Sequence, residues 1–185
     1  MVKNLIKFIF FCTLSSCSNF TTLNNSSLNT AFYNLFPNNT KIVQFLTLKK
    51  GDKTHKAQVV FIKKEDLKIS VLNEMGLELL RLTGNKNILK LSPIIPETKI
   101  DLIETAILDM LAVYSEKGLL YKEPIKNFVI EDYDLKRIVK MNQKLFSTIF
   151  YDSKDRWKSN VKLQHHILNY EIKIISIDFE KINVH

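Results

Sequence analysis

The sequence predicts an α+β fold, in which about ten mostly antiparallel strands form a sheet and one helix covers a face of it. Three observations support this prediction. Short apolar runs alternate with polar turns along most of the 185 residues, and a single segment repeats its apolar residues at helical spacing. The composition, with 45% hydrophobic and 25% charged residues, is sufficient to bury the core of one domain of ordinary size.

The predicted strands follow one another with short turns between them. The first two flank the turn at 50–54, and the next two flank the turn at 73–76, so each pair is expected to form a hairpin. Residues 161–167 alternate apolar and polar side chains, whereas residues 146–150 carry apolar residues on both faces, which indicates a sheet that needs cover. The ten predicted strands are 42–49, 56–63, 67–72, 77–82, 87–91, 127–131, 136–141, 144–151, 160–168 and 170–180.

One segment, which begins at Ile100 and ends before Gly118, has the periodicity of a helix. Ile103, Ile107 and Met110 belong to an apolar series at spacings of three and four residues. The apolar belt is wide, so the helix is expected to lie against the concave face of the sheet. Ordinary core packing is the alternative explanation for many of these side chains.

The N-terminus has the pattern of a signal peptide. Lys3 and Lys7 precede a short apolar run that is too short to cross a bilayer, which requires about 20 residues. The run ends in Leu14-Ser15-Ser16-Cys17, which resembles a bacterial lipobox, the motif in which the Cys is lipidated and becomes the first residue. We therefore predict a signal peptide at 1–16, lipidation of Cys17, a polar tether at 17–40 and a folded domain at 41–185. Within the tether, residues 31–36 are a candidate for a short helical turn that docks on the domain. An ordinary secreted protein cut near Ser15 or Ser16 is the alternative.

Charge and motifs argue against two large classes of function. The net charge is +8, but its Lys residues are scattered, and Arg81, Arg137 and Arg156 are the only arginines, so no nucleic-acid partner is predicted. The sequence contains no nucleophile elbow, phosphate-binding Gly loop or zinc-protease motif. His165 and His166 are adjacent on a predicted strand and therefore point to opposite faces. We predict a protein that is not an enzyme and has neither metal nor cofactor.

Two local motifs resemble those of a known family. The run 71–82, with the turn Asn73-Glu74-Met75-Gly76, is similar to a strand–turn–strand unit of outer-membrane lipoprotein receptors of the LolB kind. Trp157, His166 and the run 169–174 resemble the last hairpin of the same proteins. The closer resemblance is to an uncharacterised lipoprotein family with that predicted fold, over residues 41–179.

The resemblance implies a half-open antiparallel β-barrel (LolA/LolB-like) around an apolar cavity that takes acyl chains. It also implies that Met75 is an apolar tip that contacts the membrane, although Glu74 stands where the family has Pro. A Met tucked under its own hairpin is the alternative. The residues expected to line the cavity are Phe45, Phe61, Ile103, Ile107, Met110, Phe146 and Phe150.

The predicted function is the transport or insertion of acyl-chain cargo, either a lipoprotein or a free lipid, without a chemical reaction. The protein is expected to act as a monomer, anchored through acylated Cys17 to the outer membrane and facing the periplasm. Ser18 supports this destination because an Asp after the lipidated Cys marks the alternative in the enterobacterial sorting rule. Two other hypotheses stay open: an assembly lipoprotein that docks a protein partner, and an enzyme with His165 or His166 beside Asp152 or Glu131.

Overall fold

The computed structural model describes residues 21–23, 26–93, 100–116 and 128–183. These residues form two helices, α1 (Ser26–Leu35) and α2 (Ile100–Tyr114), and a set of strands. No helix in the described ranges is long and apolar enough to cross a membrane. The strands are β1 (Thr21–Leu23), β2 (Thr40–Lys50), β3 (Lys53–Lys63), β4 (Leu67–Leu72), β5 (Glu78–Gly84), β6 (Leu89–Pro93), β7 (Phe128–Tyr133), β8 (Lys136–Met141), β9 (Lys144–Tyr151), β10 (Val161–His165) and β11 (Tyr170–Lys181).

All of these strands belong to one antiparallel sheet, in the order β1-β6-β5-β4-β3-β2-β11-β10-β9-β8-β7. Most neighbours are consecutive hairpin strands, and the long pairing of β2 with β11 joins the two halves of the chain. The terminal strands β1 and β7 lie at opposite edges, so the sheet does not close. The predicted fold class, an open antiparallel sheet with helical cover, is confirmed, and β1 is an additional short edge strand.

The sheet has two faces of different character. The inner face carries the buried residues and both helices, and in β2 its members are Ile42, Gln44, Leu46 and Leu48. The open face carries the alternate residues. Several of its apolar side chains are exposed, among them Phe45, which is 47% accessible. This division follows from the two-residue period of a strand.

The two ends of the sheet also differ. The turns at 51–52, 73–77, 142–143 and 166–169 share one end, which we call the hairpin end. The turns at 64–66, 85–88 and 134–135 and the loop at 152–160 share the opposite end. Thr21 is the end of β1 nearer to the hairpin end, because Thr21 pairs with Leu91 and Leu23 with Leu89 in an antiparallel ladder.

Helix α1 packs on the inner face and belongs to the core. Leu28, Phe32 and Leu35 are buried at helical spacings of four and three. The prediction that residues 17–40 form a polar tether is therefore wrong for 26–40, where abundant Asn, Ser and Thr obscure an amphipathic helix. Residues 17–20 lie outside the described residues.

Lys63 holds the C-terminal end of α1 against the sheet. Its ammonium group donates hydrogen bonds to the carbonyl oxygens of Tyr33 (2.9 Å) and Phe36 (2.8 Å) and lies 4.2 Å from the ring centre of Tyr33. Helices leave their last carbonyls without intrahelical donors, so a cation at this end satisfies and stabilises them. Burial lowers the pKa of Lys63.

The C-terminal end of α2 is held in the same way by side chains from β8 and β9. Arg137 is fully buried and donates to the carbonyl oxygen of Ala112 at 2.7 Å, while the Tyr151 hydroxyl donates to that of Val113 at 2.7 Å. Arg137 also pairs through two nitrogens with Asp132, at 2.7 and 3.1 Å. Burial opposes ionisation of Asp132, but these hydrogen bonds and charges keep the pKa of Asp132 below its usual value.

Candidate functional site

The hairpin end of the inner face contains an open apolar groove of about 620 Å³. Its apolar lining comes from Leu46 and Leu48 of β2, Ala57 of β3, and Met75 and Leu79 of the following hairpin. Leu46 pairs with Ala57 and Leu48 with His55, so the small Ala side chain leaves space between two leucines. The volume lies in the range of ligand sites, which are usually apolar with a few polar groups.

Irregular strand geometry shapes one side of this groove. The β4–β5 register shifts between Val71 and Leu72, which leaves Leu79 beside Leu80 without a partner of its own. Such a bulge turns two consecutive side chains toward one face. Leu79 and Leu80 are consequently both half-buried, and Leu79 lines the groove.

The turn at 73–77 projects Met75 from the rim of the groove. The Asn73 side-chain oxygen accepts hydrogen bonds from the amides of Met75 and Leu77, each at 2.9 Å, and Gly76 adopts a φ of 78°. These bonds fix the turn without the Pro of the similar proteins. Met75 is 79% exposed and Leu77 is 60% exposed, so the alternative in which Met75 is tucked under its hairpin is wrong.

The predicted lining residues separate into three groups. Phe61, Ile107 and Phe146 lie on the inner face, each 3% exposed, and Met110 is half-buried beside them. Phe45 and Phe150 lie on the open face, with exposures of 47% and 38%, so the expectation that they line the interior is wrong. The side chain of Ile103 and the whole of Cys17 lie outside the described residues.

The inner face toward the opposite end is filled by aromatic side chains. Tyr114 stacks on Trp157 with ring centres 3.9 Å apart, and Phe36 lies 5.1 Å from Phe61 and 5.3 Å from Trp157. Gln44 donates to the Tyr114 hydroxyl at 2.8 Å. Phe61 is therefore part of a packed core, and the groove at the hairpin end is where apolar side chains of the inner face are incompletely covered.

A group of buried polar side chains lies between α2 and the sheet. The Tyr170 hydroxyl donates a very short hydrogen bond to Asp109, and the rings of Tyr170 and His165 are 4.6 Å apart. His165 is paired with Ser147 across β9 and β10. One oxygen of Asp109, the Ser147 hydroxyl and His165 Nε2 have no hydrogen-bond partner among the described residues.

Burial also controls ionisation in this group. It raises the pKa of Asp109 to about 7, while the hydrogen bond from Tyr170 opposes the rise. It lowers the pKa of His165, whose Nδ1 accepts the Leu168 amide at 3.1 Å. His165 is therefore mainly neutral near pH 7, whereas Asp109 is about half ionised there, so the group contains no cation that could hold an anionic headgroup.

The polar pairs considered for catalysis are not brought together. Asp152 accepts hydrogen bonds from Ser159 (2.8 Å) and Asn160 (2.8 Å), whereas Glu131 pairs with Lys140 at 2.5 Å. His166, on the face opposite to His165, contacts Thr148 at 2.9 Å. Within the part of the chain that the structure describes, no cluster of His, Cys, Asp or Glu could hold a metal ion.

Most of the residues that line the groove were not predicted from the sequence. Leu46, Leu48, Ala57 and Leu79 were not among the predicted lining residues, although residues 46–48 alternate as a half-buried strand should. That alternation could have identified the lining residues of β2. The large apolar side chain of Phe45 instead favoured the opposite face of the strand. The bulge that places Leu79 has no comparable signal in the sequence.

Comparisons with known proteins give one family and several distant structures. A family model described as "Protein of unknown function (DUF3261)" matches residues 41–178. A LolA superfamily protein from Nitrosomonas europaea aligns with a TM-score of 0.44 and 9% identity, over 88% of this chain and 94% of that one. A putative outer membrane lipoprotein-sorting protein domain from Vibrio parahaemolyticus aligns with a TM-score of 0.41 and 7% identity, over 85% and 93%. No curated protein matches the chain.

Proposed function

The chain belongs to the family described as Protein of unknown function (DUF3261), and we propose that it is a lipid-anchored protein that binds acyl chains in the groove of the hairpin end. The observation that carries this proposal is the apolar groove of about 620 Å³ between β2, β3 and the 73–77 turn. Transfer of each acyl methylene out of water contributes about 0.8 kcal/mol, so binding requires no chemical reaction. The cargo is a lipoprotein or a free lipid.

The anchor in this proposal is Cys17, which follows a short apolar run in the lipobox-like sequence 14–17. Alkylation of its sulfur with diacylglycerol and acylation of its amino group would give stable attachment, because two or more chains exceed the marginal affinity of one. We place the protein on the outer membrane, facing the periplasm, as a monomer. Mass spectrometry of the mature N-terminus tests the lipid, and a chain that begins at any residue other than acylated Cys17 contradicts it.

Binding is tested on the chain from residue 17 with Cys17→Ser, which retains every described element of the fold. A fluorescent fatty acid is titrated into this protein and into Ala57→Trp, in which an indole fills the groove. Exclusion of two methylenes costs about 1.6 kcal/mol, so Kd is expected to rise about fifteenfold. Gln58→Trp is the matched control, because position 58 is on the same strand and on the open face.

One outcome of this titration would contradict the proposed binding site. Equal affinity for Ala57→Trp and Gln58→Trp, with both proteins folded by circular dichroism, would exclude the groove as the acyl site.

Met75 is proposed as the tip through which cargo passes to the membrane. Met75→Gln is expected to slow transfer of the bound fatty acid to vesicles by a larger factor than it raises the Kd, because Met75 both lines the groove and projects from its rim.

A second candidate function is docking of a protein partner on the open face. Phe45 and Ile175 are directly opposite one another on β2 and β11, and they are 47% and 49% exposed, beside Ile177 at 52%. Exposed apolar patches of this kind mark interaction sites. A photocrosslinking residue at position 175 would capture one discrete protein under this alternative, whereas one at position 46 would capture lipid under the first proposal.

A further inference from the structure

Four exposed apolar residues lie in the turns of the hairpin end, whereas two, Ile88 and Leu135, lie in the turns of the opposite end. At the hairpin end, Met75 and Leu77 are 79% and 60% exposed, and Ile167 and Leu168, on the β10–β11 turn, are 50% and 38% exposed. These two turns lie in different halves of the sheet, so they do not form one packed cluster. Apolar side chains held at the tips of separate turns are suited to entering the boundary between lipid headgroups and acyl chains.

The same end carries exposed lysines. Lys49, Lys50, Lys53 and Lys144 are exposed and form no ion pair with any residue that the structure describes. Lys56 pairs with Glu74 at 3.3 Å. The hairpin-end turns also carry two acidic residues, Asp52 and Glu74, both of which are exposed. Anionic lipid attracts exposed lysines that lie near its surface.

The N-terminal chain approaches the membrane from the same side. Thr21 continues the line of β1 toward the hairpin end, and three residues separate it from Cys17. Four residue steps reach at most about 14 Å. The 73–77 turn is two to three strands away, which is about 10 to 15 Å across the sheet. An anchor at Cys17 therefore brings this end of the sheet close to the bilayer.

From these three observations we propose that the hairpin end is a docking surface for an anionic lipid bilayer. The turns at 73–77 and 166–169 insert their apolar tips, and Lys49, Lys50, Lys53 and Lys144 contact the headgroups. The strands then point away from the membrane, and the groove opens next to it. The orientation rests on the proposed lipidation of Cys17, but the lipid surface is recognised by residues that the groove does not require.

The orientation is tested with the lipidated protein reconstituted into vesicles that contain phosphatidylcholine and 30% phosphatidylglycerol. Cys12 and Cys17 are the only cysteines, so after removal of the signal and acylation of Cys17 an introduced cysteine is the only free thiol. An environment-sensitive fluorophore is attached at Ile167→Cys. The matched control is Ile88→Cys, because Ile88 is 46% exposed in a turn of the opposite end.

At position 167 the emission is expected to shift to the blue and to be quenched by lipids that carry a nitroxide on the acyl chain. At position 88 the emission is expected to match that of the protein in solution. Lys49→Glu combined with Lys50→Glu should reduce the blue shift at position 167 by at least half. Equal emission at positions 167 and 88, or a shift at position 88 alone, overturns the proposed orientation.

This outcome is separate from that of the proposed function. Loss of the protein from washed vesicles indicates that Cys17 carries no anchor, and it overturns both the anchor and the orientation that rests on it. Failure of the fluorescent fatty acid to bind overturns the groove alone and leaves the contrast between positions 167 and 88 intact. Vesicles of phosphatidylcholine alone should give a smaller shift at position 167, and an unchanged shift would contradict the role of the lysines.

Discussion

The buried carboxyl group of Asp109 makes the stability of the protein depend on pH in an unusual direction. Its pKa rises from 3.8 to about 7 because Asp109 is buried between its own helix, α2, and the sheet, and burial disfavours the charged form. Asp109 is 4% exposed, so solvent screens it little. A shift of this size corresponds to about 4 kcal/mol between the two protonation states. Asp109→Asn removes the titration, keeps the shape, and retains an oxygen that can accept from Tyr170.

The sign follows from proton binding. Between pH 4 and pH 7 the unfolded chain loses the Asp109 proton while the folded chain retains it, so the folded state loses stability as the pH rises. Below pH 4 both states are protonated, and above pH 7 both are ionised. The stability of Asp109→Asn relative to the natural protein should therefore be near zero at pH 4 and reach about 4 kcal/mol in favour of the variant at pH 8.

The assay is urea unfolding of the two proteins at steps from pH 4.5 to pH 8, each from residue 17 with Cys17→Ser. The difference between them isolates Asp109, because the other titrating groups are common to both. Tyr170→Phe is the second variant: the Tyr170 hydrogen bond lowers the pKa of Asp109 in the folded state, so its loss should extend the fall in stability to higher pH. A difference that is constant across this range, or that favours the natural protein at pH 8, refutes the reasoning.

Three further predictions concern the groups that hold the helices and one turn. Lys63→Met should destabilise the domain by about 1 to 3 kcal/mol in urea unfolding, since it leaves the last carbonyls of α1 without donors. Arg137→Met should cost about 1 to 3 kcal/mol by the same assay, because it leaves a carbonyl of α2 without its donor, while Asp132 keeps its ion pair with Arg156 at 3.2 Å. Gly84→Ala should lower the thermal unfolding midpoint by several degrees, since its Cβ would lie 1.9 Å from the Ile88 oxygen; an unchanged midpoint would contradict this close approach.

The elements of the fold were predictable where local pattern and tertiary role agree. All ten predicted strands have counterparts among β2 to β11, and α2 occupies the segment with helical spacing. Helix α1 was predicted only in part, as a helical turn at 31–36, because Asn, Ser and Thr dominate its composition, and these residues also favour loops. Its three buried positions, Leu28, Phe32 and Leu35, acquire their significance only from the sheet that receives them.

The face on which a side chain lies was harder to predict. In β2 the polar Gln44 is fully buried against Tyr114, whereas the apolar Phe45 is exposed, so hydrophobicity alone selects the wrong face. Phe146 and Phe150 are four residues apart and should share a face in a regular strand. The β8–β9 register shift leaves Phe146 without a partner and turns it inward, where it contacts Phe128 and His165.

Some features could be identified from residues that are adjacent in the sequence. They are the apolar and polar periods of the strands and of α2, the turns, and the Cys17 motif. The pairing of β2 with β11, the bulges at Leu79 and Phe146, and the groove beside Ala57 arise from contacts between distant segments. A shift of one residue in such a pairing exchanges the faces of a whole strand at little cost in local propensity. The strands were therefore determined by the sequence pattern, whereas the inner face, the groove and the hairpin end were decided by the tertiary structure.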